Sequence, residues 1–232
     1  TLNGEGLQHQ DGHSPLLAST VPSVRTYDPA FSWELAVLVR YGIQRMFIEE
    51  YDELFYLMMY NEARPMPARL LDANLEEGIV RGGYLLEPAS GEGPRINLLG
   101  SGTILFEVLQ AAEQLRSDGF AVAVYSITSY VELARDAERC EKACADGDKN
   151  DGAWVMHLFD ESDVPTIAAT DYVRALPRMI ATWIPGPYTV LGTDGFGLSE
   201  RREVLREYFG VDAVTIADAA RHLCSRLDTK QE

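Results

Sequence analysis

Cysteine is scarce in this chain: there are three in 232 residues. So few, and an odd number, exclude a disulfide framework and point to a reducing compartment, the cytoplasm. Basic residues are also few, with 20 Lys and Arg against 36 Asp and Glu for a formal net charge of −16. That balance argues against nucleic acid as a partner, because phosphate backbones need clustered cations. It argues equally against an anionic membrane surface. Small anionic ligands remain open, since they bind local groups rather than net charge. No apolar run approaches the roughly 18 residues of a membrane span. The most apolar helical stretch, 31–48, is interrupted by Glu34, Arg40, Gln44 and Arg45. No secretory signal, internal repeat or low-complexity segment is visible, and neither is a Gly-x-Ser-x-Gly nucleophile elbow.

What titratable chemistry there is concentrates at the start. Two of the four histidines, His9 and His13, flank Asp11 in a segment loosened by Gly4, Gly6 and Gly12. Imidazole moves protons near neutrality, and a neighbouring carboxylate can orient it. Spacing alone leaves three readings: a catalytic or substrate-contacting loop, a His-x-Asp-x-His metal site, or histidines that only hold a loop. The chain opens at Thr1 in a polar, glycine-rich stretch, which suggests a piece of a longer protein.

Elements follow from residue 21 onward. Val21–Thr26 reads as a short strand. Asp28-Pro29 then reads as the cap and first residue of a helix running to Glu50. That helix is apolar on most faces, so it is expected to lie buried between layers. Leu54–Tyr60 is an unbroken apolar run that suits a strand buried on both faces. Leu75–Arg81 reads as helical turns stopped by Gly82-Gly83. The polar stretch Pro88–Pro94 is the clearest break in composition and is taken as a domain boundary. Beyond it, strands at Ile96–Leu99, Phe120–Ser126, Pro165–Thr170 and Tyr188–Leu191 alternate with helices. The expected fold is α/β, with three-layer domains and mainly parallel sheets, divided into 1–87 and 88–232.

Other motifs have bland alternatives. Gly100-Ser101-Gly102-Thr103 is an anion site at a helix N-terminus or a tight turn. Leu191–Gly197, with three glycines around one aromatic, is a shaped loop near a ligand or a structural turn. Glu62, closing an apolar strand, is a candidate acid or base. Cys140 and Cys144 are half of a zinc site or a pair of helical thiols. The runs Asp148–Asp151 and Asp160–Asp163 read as solvated surface.

Taken together, Leu2–Ser14, Tyr27–Phe31, Leu98–Ile104, Tyr125–Asp136, Ala168–Tyr172 and Leu191–Gly197 resemble the homodimeric, bacterial-type pyruvate dehydrogenase component of the transketolase-like superfamily. The resemblance covers nearly the whole chain in six ordered motifs. It implies the end of a pyrimidine-binding middle domain in 1–87 and a transketolase C-terminal-like domain in 88–232. It further implies thiamine diphosphate with Mg2+, pyruvate as substrate, a homodimer, and a dihydrolipoyl acetyltransferase partner that receives the acetyl group. His9 falls on the family's active-site histidine, while Asp11 and His13 fall where related loops contact substrate. The residues that hold the cofactor's diphosphate and metal, and the glutamate that activates its pyrimidine, have no counterpart here, so this chain alone is expected to be inactive and to bind no cofactor. Gln10 stands where an acid is usual, Leu198 stands where arginine is often found, and 146–163 departs from the pattern. Two alternatives stay open. One is a stand-alone interaction or regulatory domain of this fold. The other is a sugar-phosphate transketolase, which would need basic groups near the histidine loop, and none precedes Arg25.

Overall fold

The computed structural model describes residues 6–60, 63–149, 151–159 and 163–231. Its first half contains helix α1 (Ser14–Ser19), strand β1 (Val24–Tyr27), helix α2 (Ser32–Ile43), strand β2 (Leu54–Leu57) and helix α3 (Ala73–Arg81). β1 and β2 pair in parallel, Val24 against Leu54 through Tyr27 against Leu57. Then come β3 (Tyr84–Glu87), β4 (Arg95–Gly100), α4 (Ile104–Ser117), β5 (Ala121–Ser126), α5 (Tyr130–Ala145) and α6 (Trp154–Leu158). The chain continues with β6 (Thr166–Ala169), α7 (Ala175–Arg178), β7 (Tyr188–Leu191), α8 (Arg202–Phe209) and α9 (Ala213–Gln231).

The second sheet has the order β3-β5-β4-β6-β7, parallel throughout except for β3. Its strands show the period-two alternation of a sheet covered on both faces. Ile96, Leu98, Val122 and Val124 join Ile104, Leu105, Val108, Ile216 and Ala220 in one core. Leu99, Ala123 and Tyr125 join Leu133, Val155, Leu176 and Val190 in another. Helices α4 and α9 therefore cover one face and α5, α6 and α7 the other. This is the expected three-layer α/β arrangement.

Helix ends follow local chemistry. Asp72 accepts from the Leu75 amide at 2.8 Å to start α3, and Gly82 ends it with φ +106°, a left-handed value that favours glycine. Asp212 accepts from the Val214 and Thr215 amides to start α9. Ser129 accepts from Glu132 N at 3.0 Å to start α5, but the Glu132 side chain does not close a capping box; it turns to Arg25.

Four expectations need correction. Asp28 caps no helix. α2 starts at Ser32, and Glu34 reaches back to the amides of Ala30 (2.6 Å) and Phe31 (3.0 Å). Glu34 is buried and also accepts from Tyr84 and Ser126 hydroxyls, each at 2.6 Å, which ties α2 to β3 and β5. Second, α2 is not enclosed between layers: Val37 and Leu38 are buried, whereas Val39, Ile43 and, in the π-turn after it, Phe47 are exposed. Third, β2 is not buried on both faces, since Leu54 and Tyr56 face outward. Fourth, β3 pairs with β5, so the break at 87/88 falls inside one sheet. Pro88–Pro94 is a strand connection whose composition resembles a boundary because it is exposed.

Candidate functional site

The carboxyl ends of β1, β4, β6 and β7 converge, as is usual for ligand sites in open α/β sheets. The ends of β2, β6 and β7 line a cleft of about 210 Å³ there. His9, Gln10, Asp11 and Gly12 form one wall, and Tyr56 through Tyr60 form another. Asp171, Tyr172, Thr193 and Gly197 close it.

The histidine loop is built by short-range bonds. Leu7–His9 is one 3-10 turn, closed by His9 N donating to Gly6 O at 2.9 Å and Gln10 N to Leu7 O at 3.1 Å. Its His9 side chain is exposed at the cleft. Asp11 Oδ1 accepts from the amides of His13 and Ser14, each at 3.0 Å, in an Asx-type turn that launches α1. Partial burial works against the Asp11 anion, but these hydrogen bonds and the His13 charge outweigh it and hold the carboxyl below its usual range. The loop then docks on the second sheet. Val173 N donates to Gly12 O at 2.9 Å. The rings of His13 and Phe196 meet edge-on, 6.3 Å apart. A Cβ at Gly197 would lie 2.6 Å from Gln10 Cβ, so only glycine lets the two loops meet.

Below the cleft lies a group that sequence reading assigned to a cap. Asp28 is buried; its Oδ1 accepts from the Tyr60 hydroxyl, and its Oδ2 has no hydrogen-bond partner among the described residues. Burial pushes its carboxyl up to about 7, Ser101 opposes the rise, and the nearby charge of Asp171 adds to it. Asp171 in turn accepts from Thr103 Oγ1 at 3.2 Å, and Ser101 and Thr170 hydroxyls meet at 3.1 Å. The Gly100–Thr103 turn is thus filled by its own neighbours. A Cβ at Gly102, whose φ is +50°, would collide with Asp28 and Tyr60.

The remaining candidates separate. The Leu191–Gly197 loop is at the cleft, anchored by Asp194 accepting from Arg174 N (2.9 Å) and Nε (2.7 Å). Glu62, residue 150 and residues 160–162 lie outside the described residues. No group of three His, Cys, Asp or Glu side chains, Cys140 and Cys144 included, is placed to hold a metal among the described residues. No helix among them is long and apolar enough to cross a membrane. Asp28 and Glu34 were missed because nothing local distinguishes a buried carboxylate from a capping or surface one.

Fold and cleft define a transketolase-like α/β protein. The family "Transketolase-like TK C-terminal domain" matches residues 82–212, and "Pyruvate dehydrogenase E1 component middle domain" matches 1–67. The E1 component of Pseudomonas aeruginosa is 45% identical over 225 residues, covering 95% of this chain and 25% of that protein. That of Escherichia coli K12 is 42% identical over 234 residues, covering 95% and 25%. The chain belongs to the pyruvate dehydrogenase E1 component family. It spans about a quarter of the length of those curated relatives. Among solved structures, transketolase from Leishmania mexicana superposes with a TM-score of 0.68 at 16% identity, over 97% of this chain and 28% of that one, a likeness of fold alone.

Proposed function

We propose that this chain forms the histidine wall of an enzyme that decarboxylates pyruvate on thiamine diphosphate. The enzyme then passes the acetyl group to the lipoyl arm of a dihydrolipoyl acetyltransferase. The observation that carries the reading is His9, exposed at the mouth of a cleft on the carboxyl ends of two sheets and held there by a pinned loop. The cofactor supplies an electron sink for the carbon that loses CO2. The described residues fit its reacting end, with an imidazole and aromatic and thioether walls around a space sized for a small 2-oxo acid. Among the described residues, the cleft lining carries no lysine or arginine to meet a diphosphate, and no group of three His, Cys, Asp or Glu side chains is placed for a metal ion.

In this reading His9 holds and moves a proton at the substrate's former carbonyl oxygen and steadies negative charge there during acetyl transfer. Asp11 directs the loop through its turn and lines the cleft where substrate enters. His13 lies outside the cleft lining and braces the loop against Phe196. Magnesium, the diphosphate grip and the homodimer partner come from the rest of an E1-length chain. The test is His9→Ala in an E1-length protein carrying this segment, with decarboxylation and acetyl transfer assayed separately. Loss of a general acid–base group predicts a fall of roughly 10²-fold or more in at least one rate. Unchanged rates in both would remove His9 from the mechanism.

A further inference from the structure

Although the chain has 36 acidic against 20 basic residues, one cavity away from the histidine cleft gathers five arginines. Its volume is about 300 Å³, and it shares no lining residue with the cleft. Arg25 comes from β1, Arg45 from the turn after α2 and Arg81 from α3, while Arg135 and Arg139 come from α5.

Three carboxylates lace these arginines together, each shared by two of them. Glu53 accepts from Arg25 at 2.7 Å and from Arg45 at 2.6 Å. Glu132 accepts from Arg25 and, at 3.2 Å, from Arg135. Asp136 accepts from Arg81 at 3.3 Å and from Arg139 at 2.6 Å. Five guanidiniums share these three carboxylates inside the network, and two more carboxylates stand at its rim. Glu49 and Glu77 reach Arg45 and Arg81 from the solvent side, each at 3.2 Å, but they are 39% and 53% exposed. Ion pairs so exposed are weak and screened by salt.

Two further features suit a ligand. Arg25 Nε is buried and has no hydrogen-bond partner among the described residues, so a donor is left over inside the network. Arg139 is 71% exposed and can swing from Asp136 onto an incoming anion. The other planes are already held: Arg81 stacks 4.5 Å from the Trp154 ring, and Arg45 lies 3.5 Å from that of Tyr51.

We propose that this arginine-lined cavity binds a small phosphate monoester as its dianion. Guanidinium forks match phosphate oxygens two at a time, and the two exposed rim carboxylates, Glu49 and Glu77, can give up their arginines to an incoming dianion. The volume sits at the lower end of small-molecule sites, which leaves room for a short organic body against Tyr41 and Val80. A ligand there clamps β1, α2 and α3 onto α5.

The test titrates the chain with inorganic phosphate and with glycerol 3-phosphate by calorimetry at constant ionic strength, with acetate as a monoanion control. Saturable binding with a Kd of roughly millimolar or tighter is expected for the phosphates and none for acetate. Arg139→Gln weakens it about tenfold, Arg139→Lys weakens it less, and Arg221→Gln on α9 leaves it unchanged. On the unmodified chain, phosphate also slows phenylglyoxal labelling of Arg139, read by mass spectrometry, so the site is tested even if a variant unfolds. Absence of saturation, binding indifferent to Arg139→Gln, or equal binding of acetate would each overturn the site.

Discussion

The two sheets of this molecule are written in much the same residues and live in different surroundings. Ile96–Leu99 in β4 and Leu54–Leu57 in β2 are both apolar runs. In β4 every one of these except Asn97 is an aliphatic side chain almost wholly shielded, with a helix layer on each face. In β2 the side chains alternate between half-covered and exposed, because one layer, α2, packs on it and the other face meets solvent. Hydrophobic sequence thus specifies that a strand should be covered; only the neighbouring layers decide whether it is.

The sharpest test of that contrast replaces one leucine in each strand. Leu98→Ala, in a fully buried site, should cost about 2–5 kcal/mol in chemical denaturation. Leu54→Ala, at 62% exposure, should fall within about 0.5 kcal/mol. Equal losses would erase the distinction between the two sheets.

The seam between the sheets should respond next, and through pH. Asp28 has its folded-state carboxyl raised to about 7 from 3.8, facing Asp171 and Glu34. A raised acid favours folding most while protonated, so its contribution is full below about 4 and is lost as pH climbs to 7. Asp28→Asn should therefore gain stability relative to the parent across that window, by on the order of a few kcal/mol. A pH-independent difference between the two proteins would show that Asp28 is already charged.

Glu53, in the first half, carries the opposite sign. The Arg45 hydrogen bond, against burial and with help from Arg25, lowers its carboxyl to about 2 from 4.5. Its contribution is present above 4.5 and lost as pH falls toward 2. Glu53→Gln should flatten the acid limb of the stability curve there, a smaller change than at Asp28. The least effect belongs to Phe47→Ser, 74% exposed, which should move the denaturation midpoint hardly at all while raising solubility.

Much of the second half was legible in the sequence. The strands expected at 96–99, 120–126, 165–170 and 188–191 lie at 95–100, 121–126, 166–169 and 188–191, because short apolar runs between helix caps are local signals. The histidine loop and the 191–197 loop were also singled out, and the fold brings them together. Long-range facts were not legible. Glu34 looked like an interruption in an apolar helix, yet it joins three elements. The antiparallel return of β3 onto β5 left no mark in residues 84–87. The arginine cavity draws on residues more than a hundred positions apart.

The docking of the His9 loop has a further consequence. Its path is set at three points: the Asx turn at Asp11, the Gly12–Val173 hydrogen bond and the close packing of Gln10 on Gly197. The disorder such a loop would otherwise surrender to a ligand is surrendered when the chain folds. Encounter with a substrate then needs only side-chain adjustment, so affinity is not spent on arranging the wall. A substitution that leaves the imidazole itself intact, such as Gly197→Ala, would hand that ordering cost back to the binding step.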